Sequence, residues 1–101
     1  ELLGSKMRAL YQPSSGRDLF DLWFALTRTK VKTHVVIDCF HRFMAQSNAH
    51  VFREEFEENL KRKIQNSTFI NDITPLLKPD IKYDPHTAFD LVVEKLIGQL
   101  D

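Results

Sequence analysis

Three charged side chains near the start of the chain have the types and spacing of an active-site cluster. Asp18 and Asp21 lie three positions apart, so on a helix their side chains point about 60° from each other. Carboxylates placed this way can bind a metal ion or act as a general base. Lys6 falls between Leu2 and Leu10 in an apolar helical stripe, where its ammonium group must reach solvent or meet an anion.

The same residues also have a purely structural interpretation. Asp18 suits the first turn of a helix, where negative charge is favoured, and Asp21 can pair with Arg17 four positions earlier. Lys6 can reach solvent from the edge of its stripe. The residues by themselves leave both interpretations open, and a catalytic cluster and a structural salt bridge are the two alternatives.

The segments that carry these residues, and all other long segments, predict helices. Apolar residues recur at helical spacing, and no strand-length alternation with turn signals is present. We therefore predict an all-α fold, a bundle of about five helices in one domain over residues 1–101. The predicted helices cover residues 1–12, 17–28, 33–46 and 52–65 and a last segment that begins at 84–85, with a short helical turn at 69–73.

Two of these segments make more detailed predictions. Asp84 followed by Pro85 predicts the start of the last helix, since Asp caps a helix well and Pro suits its first turn. Apolar residues cover most of the circumference of helix 17–28, so we predict that this helix is central in the core. Trp23, which lies on it, is predicted to be a core residue rather than a platform for base stacking.

Composition excludes some classes of function. The 14 basic and 14 acidic residues cancel, so net charge gives no general case for binding nucleic acid or membranes. No apolar run approaches the roughly 20 residues of a membrane span, and no membrane partner is expected. Cys39 is the only cysteine, which rules out an intrachain disulfide and fits a cytoplasmic protein. The chain starts without Met, as expected of a domain cut from a longer protein.

Other polar pairs in the middle of the chain are weaker candidates. His34, Asp38 and His41 share a helical face and could hold a metal, but the face lies opposite the apolar side, so we predict a solvated face and no metal site. Arg28 and His34 have the spacing of a helical RNase motif, but the residues between them are typical of a linker. Cys39 and His41 do not face each other on a helix, and Cys39 is predicted to lie in or beside the core.

Two blocks of the sequence resemble the signature of the AbiEii/AbiGii-type nucleotidyltransferase toxins. Residues 6–12 read KMRALYQ and residues 16–23 read GRDLFDLW, and together they are similar to the family pattern EKLRALxQR…GRDLYDLY. Residues 56–60, 69–73 and 75–77 resemble the C-terminal helices of the same family. The resemblance covers nearly the whole chain, and its first two blocks are the most specific.

The resemblance implies roles for the cluster. In this family an N-terminal half with a DNA polymerase β-like fold carries a Gly-Ser motif and metal-binding carboxylates, and the C-terminal half adds the lysine and Arg-Asp-x-x-Asp motifs. Lys6 would then contact the nucleotide phosphates, Asp18 or Asp21 would be the later catalytic acid, and Arg17 would orient the acids or bind phosphate. We expect Lys6, Asp18 and Asp21 to lie close together and to be partly exposed.

The resemblance also implies partners and limits. The full-length protein would use Mg²⁺ and an NTP and transfer a nucleotide to tRNA or another acceptor, and an antitoxin protein is a further expected partner. The Gly-Ser…Asp block is absent here, so the chain alone is expected to bind no cofactor and to be inactive. The family usually has Ala-Glu where this chain has Gly4-Ser5. The alternative is a non-enzymatic helical domain that binds a partner or antitoxin protein.

Overall fold

Helices make up the regular structure of residues 2–13, 16–72 and 80–100, the part of the chain that this computed structural model describes. The helices are α1 (Leu2–Tyr11), α2 (Gly16–Arg28), α3 (Thr33–Ala45), α4 (Arg53–Lys63), α5 (Ser67–Asn71) and α6 (Pro85–Lys95), and a 3₁₀ turn (Ile97–Gln99) follows. The prediction of an all-α bundle is confirmed. None of these helices is long and apolar enough to cross a membrane.

Side-chain caps set where the later helices begin. The Asp84 carboxylate accepts hydrogen bonds from the backbone N–H of His86 at 3.3 Å and from the Thr87 hydroxyl at 2.8 Å, so α6 begins at Pro85 as predicted. The Thr87 hydrogen bond is the main cause that lowers the pKa of Asp84. At α5, the Asn66 side chain accepts from the N–H groups of two following residues, and the helix begins at Ser67, earlier than the predicted turn at 69–73.

The core consists of apolar side chains contributed by every helix. Phe40 on α3 and Phe56 on α4 have ring centroids 5.5 Å apart, and the Tyr11 ring of α1 lies 5.3 Å from that of Phe56. No polar or charged residue is fully buried in the described part of the chain. The buried residues are Met7, Leu10, Leu19, Leu22, Val36, Ile37, Phe40, Met44, Val51, Phe56, Leu60, Ile64, Phe69, Ala88, Val92, Leu96, Ile97 and Leu100.

A glycine allows α1 to lie close against α3. A Cβ atom placed on Gly4 would lie 2.5 Å from the Cβ of Cys39 and 3.2 Å from the backbone N of Phe40, which is too close for any larger residue without a shift of one helix. The departure from the family pattern at position 4 therefore has a packing reason. Cys39 is partly buried at this contact, at the edge of the core as predicted.

Helices α1 and α2 have the register of an antiparallel hairpin. Lys6 lies five residues before Tyr11, the last residue of α1, and Asp21 lies five residues after Gly16, the first residue of α2. Since Lys6 contacts Asp21, positions equally far from the connection face each other. The hairpin thus brings the polar positions of both helices to the same level.

The prediction that α2 is central in the core is wrong for part of its surface. Leu19 and Leu22 are buried, but Phe20, Trp23 and their neighbour Phe24 are only partly buried. Phe20 and Trp23 pack against the Tyr83 ring, at centroid distances of 5.0 and 5.1 Å. Helices α1, α5 and α6 contact α2 and leave this aromatic flank incompletely covered. Trp23 therefore lies at the edge of the core and not inside it.

Candidate active site

Lys6, Asp18 and Asp21 form an ion cluster between α1 and α2. The Nζ of Lys6 lies 2.9 Å from Oδ2 of Asp21 and 3.6 Å from Oδ1 of Asp18. The exposed fractions of the side chains are 29% for Lys6, 15% for Asp18 and 27% for Asp21. The three residues that the sequence singled out are therefore close together and partly exposed, as expected.

Within this cluster Lys6 carries one positive charge, and Asp18 and Asp21 carry two negative charges. The hydrogen bond from Lys6 to Asp21 is the largest cause that raises the pKa of Lys6, and burial opposes it. Lys6 therefore stays protonated at neutral pH. Arg17 pairs with Asp21 at 3.9 Å and Lys63 interacts electrostatically with Asp18, so these two further cations offset the charge of the second carboxylate.

Arg17 stands at the rim of the cluster. Its Nε lies 3.9 Å from Oδ2 of Asp21, at the i, i+4 spacing, and its side chain is 61% exposed. A pair this long and this exposed contributes little to stability. Most of the guanidinium surface therefore remains accessible to an incoming anion such as phosphate.

Two side chains of α4 hold the end of α1, a contact that the sequence did not predict. The Lys63 ammonium group donates hydrogen bonds to the backbone carbonyls of Leu10 and Gln12. The Asn59 amide donates to the carbonyl of Tyr11 at 3.0 Å. These donors satisfy carbonyls that a helix end leaves without an intrahelical partner, and the positive charge suits the negative end of the helix dipole.

Burial lowers the pKa of Lys63 to about 8, and the negative charge of Asp18 opposes this shift. Asp18 thus acts on Lys63 as well as on Lys6. The sequence did contain a signal: Lys63 lies three positions after Leu60 and seven after Phe56, so it shares the apolar face of α4. A lysine on that face needs an acceptor inside the fold.

The weaker candidates are spread over other surfaces. His34 and Asp38 are exposed, whereas His41 is partly buried and stacks on His50 at a centroid distance of 5.5 Å. Within residues 2–13, 16–72 and 80–100, no group of three or more His, Cys, Asp or Glu side chains could hold a metal ion. Arg28 lies over the Phe24 ring at the end of α2, and His34 is on the next helix.

A comparison with protein families gives one match that spans most of the chain. The family model described as "Nucleotidyl transferase AbiEii toxin, Type IV TA system" matches residues 1–95. No curated protein and no solved structure gives a match. The matched range includes both helices of the hairpin and the whole ion cluster.

Proposed function

Because this chain belongs to the AbiEii nucleotidyl transferase toxin family, we propose that its hairpin supplies Lys6, Asp18 and Asp21 to the active site of a nucleotidyl transfer reaction. In such a reaction an acceptor oxygen forms a bond to the α-phosphorus of an NTP. The bond from that phosphorus to pyrophosphate breaks. Negative charge develops on the phosphate oxygens, and catalysis depends on positioned cations that neutralise it.

The observation that carries this proposal is the placement of Lys6 beside two partly exposed carboxylates. The Nζ of Lys6 faces both carboxylates, and solvent reaches all three of these side chains. When phosphate replaces the carboxylates as the neighbour of Lys6, the ammonium group exchanges one set of anionic oxygens for another. Lys6 would bind the phosphates, and Arg17 at the rim would add a second cation.

The carboxylates fit one side of a magnesium site. Mg²⁺ prefers oxygen ligands and commonly takes one or two carboxylates together with water and phosphate oxygens. Asp18 and Asp21 offer this pair, and the described residues hold no third ligating side chain close enough to complete a site alone. Bound Mg²⁺ would supply charge neutralisation at the phosphates. The remaining ligands would come from the NTP, from water and from a second protein domain.

The proposal includes that second domain and two further partners. A polymerase β-like half with the Gly-Ser motif and its own carboxylates would cover the exposed side of the cluster, so the chain alone would not catalyse transfer. The acceptor would be tRNA or another RNA. Membership of a toxin family of toxin–antitoxin systems supports an antitoxin protein as a partner.

The experiment is a transfer assay in an enzyme that contains both halves. Labelled NTP, Mg²⁺ and total tRNA are incubated with Lys6→Ala, Asp18→Asn and Asp21→Asn variants, and the melting temperature of each is measured beside its activity. Asp38→Asn is the matched control, because Asp38 is exposed on α3. We expect Lys6→Ala and at least one aspartate variant to lose about 100-fold or more in transfer while melting changes little. Activity that falls only as far as stability falls would contradict the proposal.

The alternative function, a non-enzymatic module that binds a partner or antitoxin protein, is favoured by the aromatic flank of α2. Phe20, Trp23 and Phe24 are partly exposed there, and aromatic residues are enriched at protein interfaces. A charged substitution, Phe24→Glu, separates the two functions. It would abolish co-purification with a co-expressed antitoxin if the flank binds that protein, and it would leave nucleotide transfer by the purified enzyme unchanged.

A further inference from the structure

Two phenylalanines of α2 lie outside the hydrophobic core. Phe20 and Phe24 are four positions apart on the helix, so their rings, with centroids 5.6 Å apart, form one ridge along its surface. Within the described part of the chain, these rings contact Trp23, Tyr83 and the guanidinium of Arg28, which lies 5.1 Å from the centre of the Phe24 ring. Trp23 and Tyr83 pack against the core, whereas Phe20 and Phe24 are not packed against the core that the described residues form. The ridge is therefore apolar surface that this core leaves unused.

Three exposed cations lie at the C-terminal end of this ridge. Arg28 is the last residue of α2, and Lys30 and Lys32 follow in the connection to α3. Among the residues that the structure describes, no carboxylate lies within 4.0 Å of any of these three charges. The nearest acid before them is Asp21, seven positions from Arg28 and about 10 Å along the helix axis. The nearest acid after them is Asp38, in the second turn of α3. This end of the ridge therefore keeps positive charge that an acidic ligand can meet.

The charges argue against a second copy of the chain as the occupant of this surface. Arg17 is at the other end of the ridge, so the order along the helix is Arg17, Phe20, Phe24 and Arg28. Two such ridges packed antiparallel would bring Arg17 of one copy to Arg28 of the other, and two packed parallel would bring each arginine to its own equivalent. Like charges meet in both arrangements, which is unfavourable at an interface. An occupant with carboxylates at that level avoids this repulsion.

We propose that the aromatic flank of α2 and the three cations at its end bind an amphipathic, acidic helix of a partner protein. The apolar side of the partner helix packs on Phe20 and Phe24, and Asp or Glu residues at one of its ends pair with Arg28, Lys30 and Lys32. Arg28 suits this role because a guanidinium can lie over an aromatic ring and still bind a carboxylate through two N–H groups. The proposal rests on the alternative function, since it states which kind of partner the flank binds, and it does not depend on nucleotide transfer.

The first experiment selects partner helices by their chemistry. A phage-displayed library of amphipathic helices of about 18 residues, roughly five turns, is randomised at both ends and selected for binding to the chain. Peptides that also bind Phe24→Glu are removed, so that the retained peptides need the ridge. We expect the retained peptides to be acidic at one end. Retained peptides that are neutral or basic at both ends, or a selection that retains none, would overturn the proposal.

Titration of one retained peptide tests the role of the charges. Trp23 is the only tryptophan of the chain, so its indole N–H gives a single NMR signal within the flank. This signal should shift with the peptide, and Arg28→Glu should weaken binding about tenfold. Arg42→Glu is the matched control, because Arg42 is exposed on α3 and ten positions after Lys32, about 15 Å along the helix and beyond the screening length. Equal weakening by the two variants would contradict the proposal.

A charge exchange between peptide and chain sharpens the titration. A peptide with Lys in place of its acids should bind Arg28→Glu more tightly than it binds the unchanged chain. A preference of this peptide for the unchanged chain would show that the acids of the retained peptide do not meet the cations at the end of the ridge, and the proposal would then be wrong.

Other occupants of the flank give different results. Dimerisation of the chain in sedimentation experiments, if Phe24→Glu abolishes it, would assign the flank to a second copy. A single-stranded oligouridine that shifts the Trp23 signal and displaces the peptide would assign the flank to RNA. A peptide that binds the chain but not an enzyme with both halves would assign it to the other half of that enzyme. Each of these three outcomes would overturn the proposal.

A last comparison separates this inference from the alternative function. An antitoxin whose co-purification is abolished by Phe24→Glu and left intact by Arg28→Glu would support the alternative function and overturn this inference, because the flank would then bind without its cationic end. Loss of co-purification in both variants would support both. The transfer assay stands apart from these results, since neither variant changes Lys6, Asp18 or Asp21.

Discussion

Two lysines that contact α1 or the residues after it, Lys6 of α1 itself and Lys63 of α4, show how differently one residue type is used in this fold. Lys6 is held by the carboxylates of Asp18 and Asp21 near the surface, and its pKa is raised. Lys63 is held by backbone carbonyls of Leu10 and Gln12, and burial lowers its pKa to about 8. One ammonium group is paired with charges and the other with dipoles.

The two kinds of partner determine which lysine can exchange its partner for a ligand. Carbonyls at a helix end cannot move without unwinding α1, so Lys63 is a fixed part of the fold. The carboxylates around Lys6 are on side chains that solvent reaches, so phosphate or a metal ion can replace either partner. This contrast supports the proposal that Lys6 has a chemical role, whereas Lys63 holds the end of α1.

The largest effect on stability is expected at Lys63. Lys63→Ala leaves the carbonyls of Leu10 and Gln12 without their donor, and the free energy of unfolding at pH 7 should fall by about 1–2 kcal/mol. Urea denaturation measures this loss. Lys61→Ala is the matched control on the exposed face of α4 and should change stability by less than about 0.5 kcal/mol. Equal losses of the free energy of unfolding in Lys63→Ala and Lys61→Ala would contradict a structural role for Lys63.

A smaller effect is expected at Lys6. Lys6→Met keeps the apolar stem of the side chain and removes only the ammonium group, and partly exposed ion pairs contribute little. The free energy of unfolding should fall by less than about 1 kcal/mol in the same denaturation experiment. A loss as large as that of Lys63→Ala would mean that the cluster is a structural salt bridge.

The smallest effect is the dependence of stability on pH. Between pH 8 and 10 the unfolded chain keeps a proton on Lys63 that the folded chain releases, because the folded pKa is about 8 and the reference value is 10.5. The unfolded state then binds more protons, so stability rises with pH over this window. Lys6 does not contribute there, since its raised pKa lies above the reference value.

Thermal unfolding of the protein and of Lys63→Met at several pH values measures this rise. The measurement stops near pH 10 because Tyr83, whose pKa burial raises, acts in the opposite direction above that point. The rise should disappear in Lys63→Met. A rise that persists in the variant would show that another group causes it.

Local chemistry made part of this structure predictable from the sequence. Asp84 and Pro85 fixed the start of α6 because capping needs only neighbouring residues. The proximity of Lys6 to the two aspartates was predictable for two reasons. Lys6 lies in an apolar stripe, where it needs an anion or solvent, and a short connection favours packing of the two amphipathic helices that it joins. The edge position of Trp23 was not predictable, since it depends on which helices cover α2 in three dimensions.

The contacts of α4 with the end of α1 show the same limit. They join residues 48 and 53 positions apart, and nothing in the local sequence tells a lysine which distant carbonyl it will meet. The apolar face of α4 indicated that Lys63 turns inward, but the identity of its partner required the fold.

The most direct test of the central claim exchanges the charges of the cluster in an enzyme with both halves. In the double variant Lys6→Asp with Asp21→Lys, one ammonium group still lies between two carboxylates while the lysine moves to α2, and only the long, exposed pair of Arg17 with Asp21 is lost. If Lys6 acts on the nucleotide, the double variant melts near the melting temperature of the unchanged enzyme, and its transfer activity is about 100-fold or more below that of the unchanged enzyme. If transfer recovers together with the melting temperature, the cluster is a salt bridge and the catalytic assignment is wrong.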